Sequence, residues 1–165
     1  MKLFHGTSLE FGNEILKTGL IKKNQQPYDS VTDPNFVYLS DRITSAMVYG
    51  HKKTKREKEF YIFEVELEEG TLLVDLDEVD VFKDSPWGPG NAIRSLNGNY
   101  TVVNTLPHLH SVRVDKDIDL KLVSGKYAKV STVGIVNIYK ADSQDFHLTD
   151  EELAKIYNSF VWKKY

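Results

Sequence analysis

The run Phe60-Tyr-Ile-Phe-Glu-Val-Glu-Leu67 puts Tyr61, Phe63, Val65 and Leu67 on one side of an extended chain, since successive strand side chains point to opposite faces. A stripe of that kind must be buried in a core. The opposite side begins apolar with Phe60 and Ile62, is then interrupted by Glu64 and Glu66, and is expected to be half wet. The core is available: 41% of the 165 residues are hydrophobic and 12% aromatic, too many for a disordered chain. The length fits one domain over residues 1–165.

Around that strand the chain reads as mixed. Lys2 to His5 forms a short strand that stops at Gly6, and Thr7 or Ser8 caps a helix carrying Phe11, Ile15 and Leu16 at helical spacing. Gly19 terminates it. The polar stretch Lys22 to Asn35, with Pro27 and Pro34, is a long surface loop. Phe36 to Leu39 is a second short strand. Ser40 or Asp41 caps a helix with Ile43, Ala46, Met47 and Tyr49, and Gly50 ends it. Glu69-Gly70 turns the central strand into Thr71 to Leu76 as a hairpin. The Gly- and Pro-rich residues 84–99, around Asn91 to Leu96, read as a functional lid or as a merely mobile segment. Thr101 to Thr105, Ser111 to Val114 and Val130 to Tyr139 are further strands. Thr149 with Glu152 forms a capping box that opens a final helix with Leu153, Ile156, Tyr157, Phe160 and Val161. Strands and helices mixed early, mostly strands later and a terminal helix make an α+β class.

Several chemistries are excluded by composition. With no cysteine there is no disulfide, no thiolate catalysis and no cysteine-held zinc or iron–sulfur cluster. Twenty-one Lys and Arg against 24 Asp and Glu leave a net charge of −3, so nucleic acid can be held only by a local patch. The run Lys52, Lys53, Lys55, Arg56 and Lys58 is such a patch; a solvated loop is the competing reading. No apolar run approaches the roughly 18 residues of a spanning helix. The N-terminus lacks the apolar stretch of a signal peptide, and the expectation is a soluble cytoplasmic protein.

Two groups of residues carry the candidate chemistry. His5-Gly6-Thr7 follows a strand and opens a helix; the glycine admits a flat ligand close to the backbone, and the histidine can donate to a ribose hydroxyl. Tyr38 ends a strand and Tyr49 sits on the next helix, three residues after Ala46. Two tyrosines so placed can hold a planar ring between them, each face contributing on the order of 1 kcal/mol. Ser40 can add a hydroxyl.

In order and spacing, His5-Gly6-Thr7-Ser8, Thr18-Gly19-Leu20, Val37-Tyr38-Leu39-Ser40 and Ala46-x-x-Tyr49 resemble the NAD-binding half of the ADP-ribosyltransferases, over roughly residues 2 to 76. The resemblance is to the histidine–tyrosine branch, which includes poly(ADP-ribose) polymerases, rifampicin ADP-ribosyltransferases and NAD-using RNA 2′-phosphotransferases. It implies an ADP-ribosyltransferase-like fold of two small packed sheets with flanking helices, and NAD as co-substrate without a metal. On this resemblance His5 contacts a ribose, the Gly6 backbone pairs with the carboxamide, Tyr38 and Tyr49 enclose the nicotinamide, and Ser40 or Thr7 adds a polar contact. Arg94, in the Gly- and Pro-rich segment, is either a pyrophosphate contact or a surface residue. Catalysis then rests on clamping the dinucleotide and stabilising positive charge at the anomeric carbon.

The family's late-strand glutamate is the point of departure. Lys129 to Tyr139 contains no carboxylate, which puts Ser131 or Thr132 in its place, then Asn137, or Asp115 or Asp117 if the strand lies elsewhere. The expected activity is therefore a mono-ADP-ribosyltransferase acting on protein or nucleic acid, as a toxin with an antitoxin partner by family analogy. The alternatives are a 2′-phosphotransferase, for which the arginines Arg42, Arg56, Arg94 and Arg113 are few, and a non-catalytic NAD or ADP-ribose binder. Four features are assigned bland roles or left between two. His108-x-His110 is a surface loop before it is a metal pair on a strand. Asp75, Asp77, Glu78 and Asp80 form a solvated turn lacking the pattern of a calcium loop. Trp87 is a lid aromatic or a packing anchor, and Trp162 packs the last helix.

Overall fold

A computed structural model of the chain describes residues 1–23, 32–54, 57–143 and 148–165. The first half runs β1 (Lys2–Ser8), α1 (Leu9–Thr18), β2 (Leu20–Ile21), β3 (Val37–Leu39), α2 (Ile43–Lys53) and β4 (Glu59–Glu66). The second half runs β5 (Leu73–Val74), α3 (Leu76–Lys83), α4 (Gly90–Ser95), α5 (Val102–Leu109), β6 (Val112–Val114), β7 (Ile118–Asp119), β8 (Gly125–Ser131), α6 (Ile135–Ser143), α7 (Asp150–Ser159) and β9 (Lys163–Lys164). This is mixed helix and sheet, as an α+β class requires.

The strands form a four-stranded sheet in the order β1-β4-β8-β9, a three-stranded sheet β3-β6-β5 and a two-stranded pair β2-β7, all antiparallel. The two larger sheets meet at one bridge: Phe4 N–H donates to the Ser40 carbonyl at 2.7 Å and Ser40 N–H to the Phe4 carbonyl at 2.9 Å. That bridge brings the end of β3 beside β1, and with it Tyr38 beside His5.

The central strand β4 separates two cores. Tyr61, Phe63 and Val65 face a cluster with Leu3, Val37, Leu39, Val112 and Val114. Phe60 and Ile62 face a second cluster with Met47, Ala128, Val130, Ile135 and Tyr139. The division of faces follows the alternation, but the second face is dry as far as Glu64, and only Glu66 at its end is exposed. Glu64 is only 6% exposed; Tyr157 donates its hydroxyl to it, and the Lys2 and Lys126 ammonium groups lie 3.9 and 4.0 Å away. Helices packed over the second face close it.

Several local expectations are corrected. β1 continues past Gly6 to Ser8, whose hydroxyl accepts from Phe11 N–H at 3.3 Å and caps α1; Gly19, at φ 75°, ends that helix. α2 runs through Gly50 to Lys53, because Gly50 serves close packing: a Cβ there would stand 2.3 Å from the Phe60 ring. Its N-cap is Arg42, with no side-chain cap, while Ser40 Oγ accepts from Arg42 N–H at 2.9 Å. No hairpin follows β4. Glu69–Thr71 is a 3₁₀ turn, and β5 joins the other sheet beside β6.

Three helices replace expected strands or turns. Asp75 caps α3 by accepting from Glu78 N–H at 3.2 Å, so the acidic stretch is a helix start and not a solvated turn; Asp75 itself is 2% exposed. The β-branched run at 101–105 is helical because Thr101 and Asn104 form a capping box. β8 stops at Ser131, and after Gly134 (φ 75°) α6 buries Ile135 and Tyr139, one turn apart, against the second core. Local β propensity yields in both cases to a capped or core-facing helix. The capping box at Thr149 and Glu152 does open α7, which ends at Ser159, before Phe160 and Val161. Trp162 packs there as expected: its ring lies 4.9 Å from that of Tyr157, and its Nε1–H donates to the Tyr157 carbonyl at 2.8 Å. Among the described residues no helix is long and apolar enough to cross a membrane.

Candidate active site

β1, β3, α2 and the start of α3 enclose a cavity of about 280 Å³. His5, Gly6 and Thr7 line it from β1, Tyr38 and Ser40 from the end of β3, Tyr49, Lys52 and Lys53 from α2, and Asp77 and Glu78 from α3. Gly6 is there because α2 lies on top of it: a Cβ would come within 1.8 Å of the Ala46 carbonyl oxygen. The same absence of a side chain that suggested ligand access from sequence also lets the helix bearing Tyr49 approach β1.

His5 is held by its Nδ1, 3.0 Å from the Tyr38 carbonyl. A carbonyl only accepts, so Nδ1 carries the proton. Burial lowers the imidazole pKa from 6.5 to about 4, against the raising effect of that hydrogen bond and with help from the Lys53 charge. The ring is therefore neutral near pH 7, and its Nε2 is an acceptor. This reverses the donor role expected of His5 from sequence.

The two tyrosines are tied down by consecutive residues in the first turn of α3. Tyr38 donates its hydroxyl to Asp77 Oδ2, and Tyr49 donates to Glu78 Oε1 at 2.7 Å. Tyr38 Oη also accepts from Asp33 N–H at 2.9 Å. Burial and the neighbouring Asp77 carboxylate push the Tyr38 phenol far above its ordinary range, so it stays protonated. Arg113, directly across the strand pair from Tyr38, places its guanidinium 3.3 Å from Asp77 and 3.9 Å over the Phe36 ring. Behind them Asp75 accepts from the Ser111 hydroxyl, and its own pKa is raised by burial.

The result is a slot with two phenol rings, one neutral imidazole acceptor and carboxylates on one wall. Such walls suit a planar cation: aromatic faces and carboxylates both favour positive charge in a partly desolvated space. The Lys52 and Lys53 side chains on α2 supply positive charge elsewhere in the same cavity, suited to phosphate. Burial lowers the Lys53 pKa.

Other candidates lie elsewhere. Ser131 ends β8, exposed, and Thr132 follows it, donating its hydroxyl to the Lys58 carbonyl at 3.0 Å; neither lines the cavity. Asn137 is on α6, Asp115 and Asp117 flank the turn between β6 and β7, and none of them lines it. Arg94 binds the Lys83 and Ser85 carbonyls and Asn91, and fastens the 84–95 segment instead of reaching the cavity. Trp87 is 79% exposed and anchors no packing. His108 lies in the last turn of α5 and His110 is its left-handed cap, so the pair is not on a strand. Lys55 and Arg56 lie outside the described residues. Asp77 and Glu78 are the residues the sequence did not single out for the site. Their available signal was the Asp75-x-x-Glu78 helix-start spacing after a short apolar run, which aims the first turn of α3 at the tyrosines.

Comparison with known proteins bears on this cavity directly. No curated protein and no solved structure matches the chain. Residues 1–102 match the family model described as the poly(ADP-ribose) polymerase catalytic domain, a span that contains His5, Tyr38, Tyr49, Asp77 and Glu78. The match covers well over half of the 165 residues, and the chain belongs to the poly(ADP-ribose) polymerase catalytic-domain family.

Proposed function

We propose that the protein is an NAD-dependent mono-ADP-ribosyltransferase of the histidine–tyrosine branch, formed as one domain over residues 1–165. The observation that carries this reading is the convergence of His5, Tyr38 and Tyr49 on one cavity, with both phenols anchored by adjacent carboxylates. Tyr38 and Tyr49 flank the nicotinamide ring. His5 Nε2 accepts from a ribose hydroxyl, and the Gly6 backbone, with Thr7 or Ser40, meets the carboxamide. Lys52 and Lys53 take the pyrophosphate role first considered for Arg94.

Breaking the nicotinamide–ribose bond moves positive charge from the pyridinium to C1′ and its ring oxygen. Asp77 and Glu78 stand on the wall facing that change, and fixed negative charge stabilises an oxocarbenium-like state without reorganising. They replace Ser131 and Thr132 in the role left open by the carboxylate-free late segment. Among the described residues five carboxylates line the cavity, Glu14, Asp33, Asp75, Asp77 and Glu78, and they favour a charge-stabilising site over an inert binder. The 2′-phosphotransferase reading needs arginines at the site, and among the described residues none lines the cavity; Arg42 and Arg113 are paired with Asp142 and Asp77. A cytoplasmic toxin held by an antitoxin is the cellular setting that goes with this proposal, on resemblance alone.

The test is nicotinamide release from NAD by the purified protein, with His5→Ala and Tyr38→Ala beside it. A fall of at least about a hundredfold in both is expected from losing groups that position the dinucleotide. Wild-type rates in both folded variants reject the proposal.

A further inference from the structure

A second cavity, of about 230 Å³, adjoins the first. It opens between α2, α3 and the end of α5, and the two share Val48, Tyr49, Glu78 and Ser111 in their walls. Glu78 is the one shared residue with a carboxylate, so a single side chain faces both the space assigned to the nicotinamide ribose and the space beyond it. Resting on the transferase reading above, we propose that this second cavity is the acceptor site, that Glu78 takes the acceptor's proton, and that the acceptor is a neutral planar ring bearing a hydroxyl, of the phenol class.

The chemistry of the walls selects that class. Phe82, Pro89, Val48 and Leu109 supply apolar and flat surface. Several polar groups of this cavity are already engaged within the protein: Arg42 is bidentate to Asp142, which also accepts from Thr44, and His110 Nδ1 lies 3.0 Å from Asp41. An anionic acceptor meets no fresh cation there to offset its desolvation, and a cationic one would pair with Glu78 and so occupy the group that must take the proton. A carboxylate acceptor would also face Glu78. His108 lines the cavity and makes no hydrogen bond among the described residues, leaving an imidazole for a polar atom of the ligand. The volume is below the roughly 300–1,000 Å³ of sites for drug-sized ligands, which fits one ring system. The match of hydroxyl to carboxylate is already displayed, because Glu78 accepts a phenolic O–H from Tyr49 at 2.7 Å. An incoming phenol repeats that contact from the other side.

In the step, the acceptor oxygen forms a bond to C1′ while its proton passes to the Glu78 carboxylate. The C1′–N bond breaks, its electron pair neutralises the pyridinium, and nicotinamide leaves uncharged. Glu78 then returns the proton to water. Without an acceptor, water takes the same place and the product is free ADP-ribose.

The experiment incubates the full chain with NAD and one probe at a time, 4-methylphenol, uridine, N-acetylaspartate amide or N-acetylarginine amide, and measures nicotinamide, free ADP-ribose and adduct. The expected result is adduct with 4-methylphenol at least tenfold above the other three. His108→Ala and the cavity-filling Ser45→Phe should each lower the adduct to free ADP-ribose ratio at least tenfold. Because the ratio is read within each sample, a partly unfolded variant does not mimic that effect. Adduct favouring uridine, the carboxylate or the guanidinium, or a ratio unchanged in both variants, overturns this inference while leaving the transferase reading standing. No adduct with 4-methylphenol while nicotinamide is released does the same. No nicotinamide release with any probe overturns both.

Discussion

The molecule contains two tyrosine–carboxylate pairs of nearly the same chemistry, placed in opposite surroundings. Tyr38 donates to Asp77 with Arg113 beside it, and Tyr157 donates to Glu64 with Lys2 and Lys126 beside it. Burial and the partner carboxylate raise both phenols, Tyr157 to about 12. The first pair borders a cavity. The second lines neither cavity and is filled in by Trp162, Phe4 and the Lys2 and Lys126 ammonium groups over the Tyr157 ring. A buried polar pair is thus no functional signal by itself; the empty space next to it makes the difference.

Substitutions can break that comparison. The largest contrast is between Tyr38→Ala, with nicotinamide release down at least about a hundredfold, and Tyr157→Phe, with release within about twofold of wild type. Equal losses would show that the two pairs serve the same purpose. Next, Gly6→Ala sets a methyl 1.8 Å from the Ala46 carbonyl oxygen. Overpacking of this kind costs about 1–3 kcal/mol or more, read as a lowered melting temperature together with lost activity; a wild-type melt would mean that α2 does not press on β1.

Asp77→Asn keeps the shape but removes a charge from the cavity wall, and should lower nicotinamide release at least about tenfold, since a charge-assisted hydrogen bond is worth about 1.5–3 kcal/mol. Tyr157→Phe leaves buried Glu64 with two ammonium neighbours and one hydrogen bond fewer, a loss of about 1–3 kcal/mol in stability with catalysis intact. Denaturant titration measures it, and an unchanged midpoint would make the C-terminal pair incidental.

The last effect is a slope. The unfolded chain protonates His5 below about 6.5, and the folded chain only below about 4. Between those values the unfolded state holds the extra proton, so this contribution to stability is complete above about 6.5 and is lost as pH falls toward 4. His5→Gln should flatten the fall of melting temperature across that window. An identical slope in the variant would show that His5 is not held neutral.

Much of the first half could be read in advance. His5, Gly6, Tyr38 and Tyr49 were selected by strand-end and helix positions, and the fold brings all four to one cavity. The alternation of Phe60 to Leu67 likewise identified which side chains enter which core. The second half was less legible because its signals compete. Val, Thr and Ile at 101–105 and 133–138 favour strand locally, while a capping box at Thr101 and Asn104 and a core waiting for Ile135 and Tyr139 favour helix. The acidic run at 75–80 hides its helix start, the Asp75-x-x-Glu78 spacing, among charges that read equally as a solvated turn.

Alternation, capping residues and glycine positions act over a few neighbours, so the sequence alone determined the central strand, the first helix with its Ser8 and Gly19 ends, and the two tyrosines bound for one end of β3 and α2. Which carboxylates meet those tyrosines was decided only when β5 left β4 for the other sheet and carried α3 across the cavity mouth. The contact between Tyr38 and Asp77 spans 39 positions, and no local preference encodes a pairing at that separation; it follows from how the two sheets bury their shared core.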